Sequence, residues 1–149
     1  MPNRSGWKPN SGAAGKRMYE IVPHTADVRL RVSAPALEEL FRDAMRGMYA
    51  VMRAHPGHER VERDIAVHDS ADTTSLLVDF LNEVLGRAHV AREMFTDAAF
   101  TRFDATSLDA RLTGAAPASF DEEVKAVTYH EAEVRREGEG WTTMLVFDI

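Results

Sequence analysis

The sequence predicts an α+β fold, a largely antiparallel to mixed β-sheet with two amphipathic helices packed on one side. Two segments, Leu37 to Met52 and Leu76 to Leu85, repeat apolar residues at three- and four-residue steps, as a helix with one buried face does. Other segments alternate apolar and polar residues, the period of a half-buried strand. The order ββα, βα and then four strands embeds the two helices in strands that pair mainly antiparallel.

Met1 to Arg17 is rich in Pro, Asn, Ser and Gly and poor in apolar residues. It is expected to be a disordered extension, leaving residues 18–149 as a single domain. Met18 to Val22 is a short strand, followed by the turn Pro23-His24-Thr25-Ala26-Asp27. Val28, Leu30 and Val32 then alternate with Arg29 and Arg31 in a second strand. Ser33 is placed to cap a helix whose first turn holds Pro35. Leu37, Leu40, Phe41, Ala44, Met45, Met48, Tyr49 and Met52 form its core face, the methionines filling gaps, and it ends before His55-Pro56-Gly57-His58.

A strand from Val61 to His68 leads to Ser70 or Asp72, either of which can open the second helix. Leu76, Leu77, Phe80, Leu81, Val84 and Leu85 are its buried stripe, with Asp79, Asn82 and Glu83 towards the edge. Beyond Gly86 the pattern loosens, and the chain turns to strand from about Ala98, with Leu108, Ala110 and Leu112 in the next strand. Gly114 to Pro117 reads as a loop and Val124 to Arg135 as a longer strand. Gly138 and Gly140 mark a hairpin from which Trp141 to Ile149 returns.

Composition narrows the function classes. No run approaches the roughly 20 apolar residues of a membrane span, and the N-terminus lacks the apolar core of a secretory signal. With no cysteine there is no disulfide, thiolate zinc site or Cys nucleophile, and a cytoplasmic location fits. The net charge of −6 disfavours direct, strong binding to a nucleic-acid backbone. It favours a metal, a small cationic ligand or a protein partner. There is no glycine-rich phosphate loop and no GxSxG or SxxK context.

Two constellations can carry chemistry. Asp148 ends the last strand and Asp27 begins the second; if they meet the terminal carboxylate of Ile149, the cluster suits a hard, oxygen-loving cation. The competing reading has Asp27 capping its own turn and Asp148 in solvent. Lys125 stands in the strand Val124-Lys125-Ala126-Val127-Thr128-Tyr129-His130. It is either a solvated edge charge or the group that neutralises the acids, a phosphate or a partner carboxylate. The six histidines show no zinc spacing, and His24, beside Asp27, is the one near the acids.

Taken together, the stretches His24-Thr25-Ala26-Asp27, Leu37-Glu38-Glu39-Leu40-Phe41 with Ala44 and Met48, Leu76 to Leu85, Val124 to His130 and Phe147-Asp148-Ile149 resemble the archease family. The resemblance spans nearly all of Tyr19 to Ile149. It implies a non-catalytic accessory protein that activates an RtcB-type RNA ligase in tRNA splicing and RNA repair. Such a protein promotes guanylylation of the ligase histidine and so allows multiple turnover. It further implies a divalent metal site, usually described as calcium with magnesium or manganese as alternatives, at Asp27, Asp148 and Ile149. The family's functional lysine falls on Lys125, and His24 lies in the same motif as Asp27. Two departures stand out: Thr113 to Pro117 lacks the family's common Gly-Glu step, and the basic N-terminal extension lies outside the pattern.

Two other classes of function compete. One is a stand-alone metal-dependent enzyme acting on a small phosphorylated substrate, which the missing nucleophile and phosphate loop disfavour. The other is a general chaperone-like module that binds unrelated partners through its helices.

Overall fold

The computed structural model describes residues 19–23 and 27–149. The first half contains β1 (Tyr19–Pro23), β2 (Val28–Ala34), α1 (Leu37–Val51), β3 (Ala54–His55), β4 (Glu59–Val67) and α2 (Thr73–Ala91). The second half is all strand: β5 (Met94–Phe103), β6 (Leu108–Ala116), β7 (Ser119–Phe120), β8 (Ala126–Thr128), β9 (Arg135–Glu137) and β10 (Gly140–Asp148).

Every strand pairing described is antiparallel. One sheet has the order β1-β2-β10-β8, with β9 joining β10. A second has the order β4-β6-β5, and β3 with β7 makes a short ribbon. Pairing β2 with β10 brings the start of the domain to its end.

Both helices bury the faces their periodicity marks. Leu40, Phe41, Ala44, Met45, Met48, Tyr49 and Met52 are buried along α1, which packs on β2 and β5. Leu76, Leu77, Phe80, Leu81, Val84 and Leu85 are buried along α2, which lies against β8, β4 and α1. Phe41 sits among Phe80, Phe100 and Phe103, with ring centroids 5.8, 6.4 and 4.9 Å away. A single apolar core joins both helices and both sheets. Arg42 and Arg46 of α1 donate from Nε to the carbonyls of Ala98 and Thr96, at 2.7 and 3.0 Å. These contacts cover outward carbonyls of the edge strand β5, which would otherwise invite pairing with another chain.

Several local expectations change. Ser33 remains in β2, its hydroxyl 3.1 Å from Thr142 Oγ1, and α1 starts at Leu37 from Ala36 without a side-chain cap. Glu38 and Glu39 face the positive end of that helix instead. The helix α2 continues to Ala91 and stops where Arg92 enters the left-handed region (φ 55°), so β5 begins at Met94. Gly114 is not in a loop; it lies in β6, the middle strand of the second sheet. A Cβ there would meet the Met94 carbonyl oxygen at 2.0 Å, so glycine is what lets the two backbones approach. The expected strand from Val124 to Arg135 breaks into β8 and β9 around a turn in which Glu131 has φ 60°. The N-terminal extension of residues 1–17, Met18 of the expected first strand and residues 24–26 of the His24 turn lie outside the described residues.

Candidate functional site

The site is built from the ends of the two central strands. The β2–β10 register sets Val28 against Phe147, so Asp27, just before β2, and Asp148, the last residue of β10, both adjoin this final pair. Leu30, Val32, Leu145 and Phe147 are fully buried on one face. Alternation therefore places Asp27, Arg29 and Asp148 on the other. Two carboxylates carried to the same end of paired strands repel unless a cation relieves them.

Lys125 joins the same end of the sheet. Its backbone N–H donates to the Asp148 carbonyl oxygen at 2.7 Å, and Ala126 pairs with Asp148. Lys125 is exposed and lies in the extended lead-in to β8 rather than within a long strand. Ile149 follows directly and is 49% exposed. The structure thus gathers Asp27, Asp148, Ile149 and Lys125 at one rim; His24 is outside the described residues.

A short strand such as β8 needs support on its outer edge, and α2 supplies it. Asn82 Nδ2 donates to the Val127 carbonyl oxygen at 2.9 Å, while the Val127 N–H donates to Asn82 Oδ1 at 3.0 Å. The amide side chain thus makes the two bonds that a neighbouring strand would make. One turn earlier, Asp79 accepts from the Tyr129 hydroxyl and, at 2.7 Å, from the Ser70 hydroxyl. The bond to Asp79 holds the Tyr129 phenol above its ordinary pKa. The Val134 N–H donates to Thr74 Oγ1 at 2.9 Å. Three α2 side chains therefore fix the segment after Lys125. The sequence pattern assigns Asp79 and Asn82 to the helix edge but not to this task. The available signal is that they lie three residues apart beside the apolar stripe, on a line facing one neighbour.

Behind the rim, Arg29 Nε lies 3.6 Å from Asp27 Oδ1, and Arg29 Nη1 donates directly to Glu131. Glu131 also lies 3.2 Å from His130 Nε2. The Arg29 hydrogen bond is the main cause that depresses the Glu131 carboxyl below the usual range, and Glu131 in turn raises the guanidinium. The Asp27 and Arg29 side chains are only 18% and 20% exposed.

The donor types at the rim test its fit to a metal. Two carboxylates and the Ile149 oxygens are all hard donors, as calcium and magnesium require, and both ions complete their shells with water. No group of three or more His, Cys, Asp or Glu gathers as a metal cluster among the described residues. The fit therefore rests on the two aspartates at this strand end together with main-chain oxygens.

Fold and rim together define the class: an antiparallel α+β domain presenting acids where its two central strands end together. The sequence model of the archease protein family (MTH1598/TM1083) matches residues 19–149, and the chain belongs to that family. It is 32% identical to the Pyrococcus furiosus protein archease, over 89% of this chain and 99% of that one. It is 31% identical to the Methanosarcina mazei protein archease, over 91% and 97%. Among solved structures, Methanobacterium thermoautotrophicum protein 1598 is similar with TM-score 0.64 and 26% identity, covering 89% of this chain and 99% of that one. A Thermotoga maritima archease, described as a possible chaperone, shares the fold with TM-score 0.64 at 20% identity, covering 86% of this chain and 94% of that one.

Proposed function

We propose that this protein is a non-catalytic accessory protein that activates an RtcB-type RNA ligase in tRNA splicing or RNA repair. It does so by promoting guanylylation of the ligase histidine, which allows multiple turnover. The observation that carries this reading is that Asp27 and Asp148 both adjoin the final Val28–Phe147 pair of the two central strands, with Lys125 hydrogen-bonded through its backbone to Asp148. Asp27, Asp148 and the Ile149 oxygens would hold a divalent cation, calcium being the first candidate. When bound, that ion would neutralise the paired acids and present positive charge to phosphate oxygens.

Lys125 is exposed and adds a compact cation suited to a phosphate or to a partner carboxylate. Asn82 and Asp79 keep its segment in place. The net charge of −6 suits contact with a protein partner better than contact with an RNA backbone. The site of action is then cytoplasmic, beside the nucleotide pocket of the ligase. No helix among the described residues is long and apolar enough to cross a membrane.

The test is multiple-turnover RNA ligation by the cognate ligase. Asp27→Ala and Lys125→Ala should each reduce stimulation at least tenfold while single-turnover ligation by pre-guanylylated ligase is unchanged. Full stimulation by both variants refutes the site.

The name of the Thermotoga maritima protein raises a general chaperone as a second reading. The exposed large apolar side chains among the described residues are Val90, Tyr129 and Ile149, and Tyr129 is tied to Asp79. A holdase needs a contiguous apolar patch. Pull-down from extract separates the readings, since a dedicated activator returns one main partner.

A further inference from the structure

We propose that the outer edge of β4 is a self-association surface, at which two copies of this chain join their second sheets across a two-fold axis. β4 is nine residues long and lies at the edge of that sheet, with β6 its one neighbour among the described strands. Alternate backbone N–H and C=O groups of such a strand point away from the sheet and are open to another strand. The opposite edge is closed: on β5, Arg42 and Arg46 cover the Ala98 and Thr96 carbonyls. On β4 the side-chain cover among the described residues is Arg63 Nη1, which donates to the Glu62 carbonyl oxygen at 2.9 Å, an exposed contact that a strand N–H can replace. Every residue from Glu59 to Asp64 is exposed or half-buried. The rim lies at the end of the other sheet, so pairing through β4 uses none of its residues.

Charge on an edge strand ordinarily blocks pairing, but the order of charges here makes pairing selective. The run reads Glu59-Arg60-Val61-Glu62-Arg63. A two-fold axis normal to a joined antiparallel sheet sets one residue opposite itself and pairs the residues on either side of it crosswise. Centred on Val61, the register sets Val61 against Val61. Each Arg60 then faces Glu62 of the second copy, and each Glu59 faces Arg63 of the second copy. Centring on Glu59, Arg60, Glu62, Arg63 or Asp64 puts a charge against its own copy, and centring on Ile65 gives no ion pair within β4. Opposite charges directly across a strand pair support it, and like charges destabilise it. Both kinds of pair are prepared in the single chain. Arg60 Nη2 already donates to Glu62 Oε2 at 2.8 Å, so two copies close a square of alternating charge. Arg63 is anchored through Nε to Glu93 Oε2 at 2.7 Å, a carboxylate side chain only 3% exposed. That anchor lowers the entropy lost when Arg63 meets Glu59 of the second copy.

Sedimentation equilibrium of the full chain tests the proposal, with circular dichroism confirming the fold of each variant. A single strand pair makes an interface below standard size, so the expected dissociation constant is on the order of 0.1 mM. Arg60→Glu and Glu62→Arg each set like charges opposite one another and should each weaken the dimer at least about tenfold. Mixing these two variants restores opposite charges, as does the double variant Arg60→Glu/Glu62→Arg. Both should return the constant to within about threefold of wild type. The chain has no cysteine, so Val61→Cys supplies a lone thiol that the axis sets against its own copy. It should give a disulfide-linked dimer under mild oxidation. Glu59→Cys, about 13 Å from its copy in this register, should not. A wild-type chain that stays monomeric up to about 1 mM overturns the proposal. So do single reversals that dimerise as tightly as wild type, a mixture that fails to recover, or a Glu59→Cys crosslink as fast as that of Val61→Cys. If Val61→Cys does not fold, the charge variants decide alone.

Discussion

Replacing Asn82 with alanine isolates the device that holds the lysine segment. The side chain makes two hydrogen bonds to the backbone of Val127, a residue only 3% exposed. Removing it leaves one N–H and one C=O without partners at a site with little access to water. Each such group costs about 1–2 kcal/mol, so Asn82→Ala should lose about 2–4 kcal/mol. For a chain of this size each kcal/mol moves the midpoint by about 3 °C, giving a fall of roughly 6–12 °C in thermal denaturation. The local signature is sharper: exchange of the Val127 amide, followed by hydrogen–deuterium NMR, should accelerate at least tenfold relative to amides in the centre of β10. The neighbouring Glu83, whose ion pair with Arg87 is 3.7 Å long and exposed, is the control; Glu83→Ala should change stability by under about 0.5 kcal/mol. An Asn82→Ala protein with a protected Val127 amide and a midpoint within 2 °C, by the same scale, would refute the assignment of Asn82 as the edge partner of β8.

Two further outcomes follow from particular contacts. Gly114→Ala should sharply reduce the yield of folded protein or lower its melting midpoint by about 10 °C or more, because the new methyl meets the Met94 backbone and not a flexible side chain. Asp72 accepts the Ser75 N–H at 2.8 Å as the cap of α2, and that bond depresses its carboxyl below the ordinary value of 3.8. A depressed folded value means stability that is complete above the unfolded pKa and lost as pH falls through the folded one. Asp72→Ala should therefore melt below wild type at neutral pH, and the gap should close as the pH is taken below 3.8.

Much of the fold is legible in the sequence, and for a local reason. The alternation of Val28, Leu30 and Val32 and the helical spacing of Leu40, Phe41, Ala44 and Met48 report which face is buried, and all of these positions except the half-buried Val28 are fully buried. The elements misjudged are those decided by a distant neighbour. Gly114 looks like loop punctuation, yet its lack of a side chain serves a close approach to Met94. Val124 to Arg135 has strand-like composition, yet it stops at Thr128 because Tyr129 is drawn to Asp79 and Glu131 to Arg29. Ser33 has cap chemistry but finds Thr142 across the sheet first.

The rim divides the same way. By itself the sequence determined that acids stand at the start of one strand and the end of another, because strand period and chain order are local properties. That Asp27 and Asp148 come to the same end of the sheet is a matter of register between segments more than a hundred residues apart, and only the pairing of β2 with β10 decides it. The partnership of Arg29 with Glu131 is equally non-local. Whether a carboxylate lies free or shares a cation depends on which side chains the packed core carries to within a few ångströms, and no spacing along the chain encodes that distance.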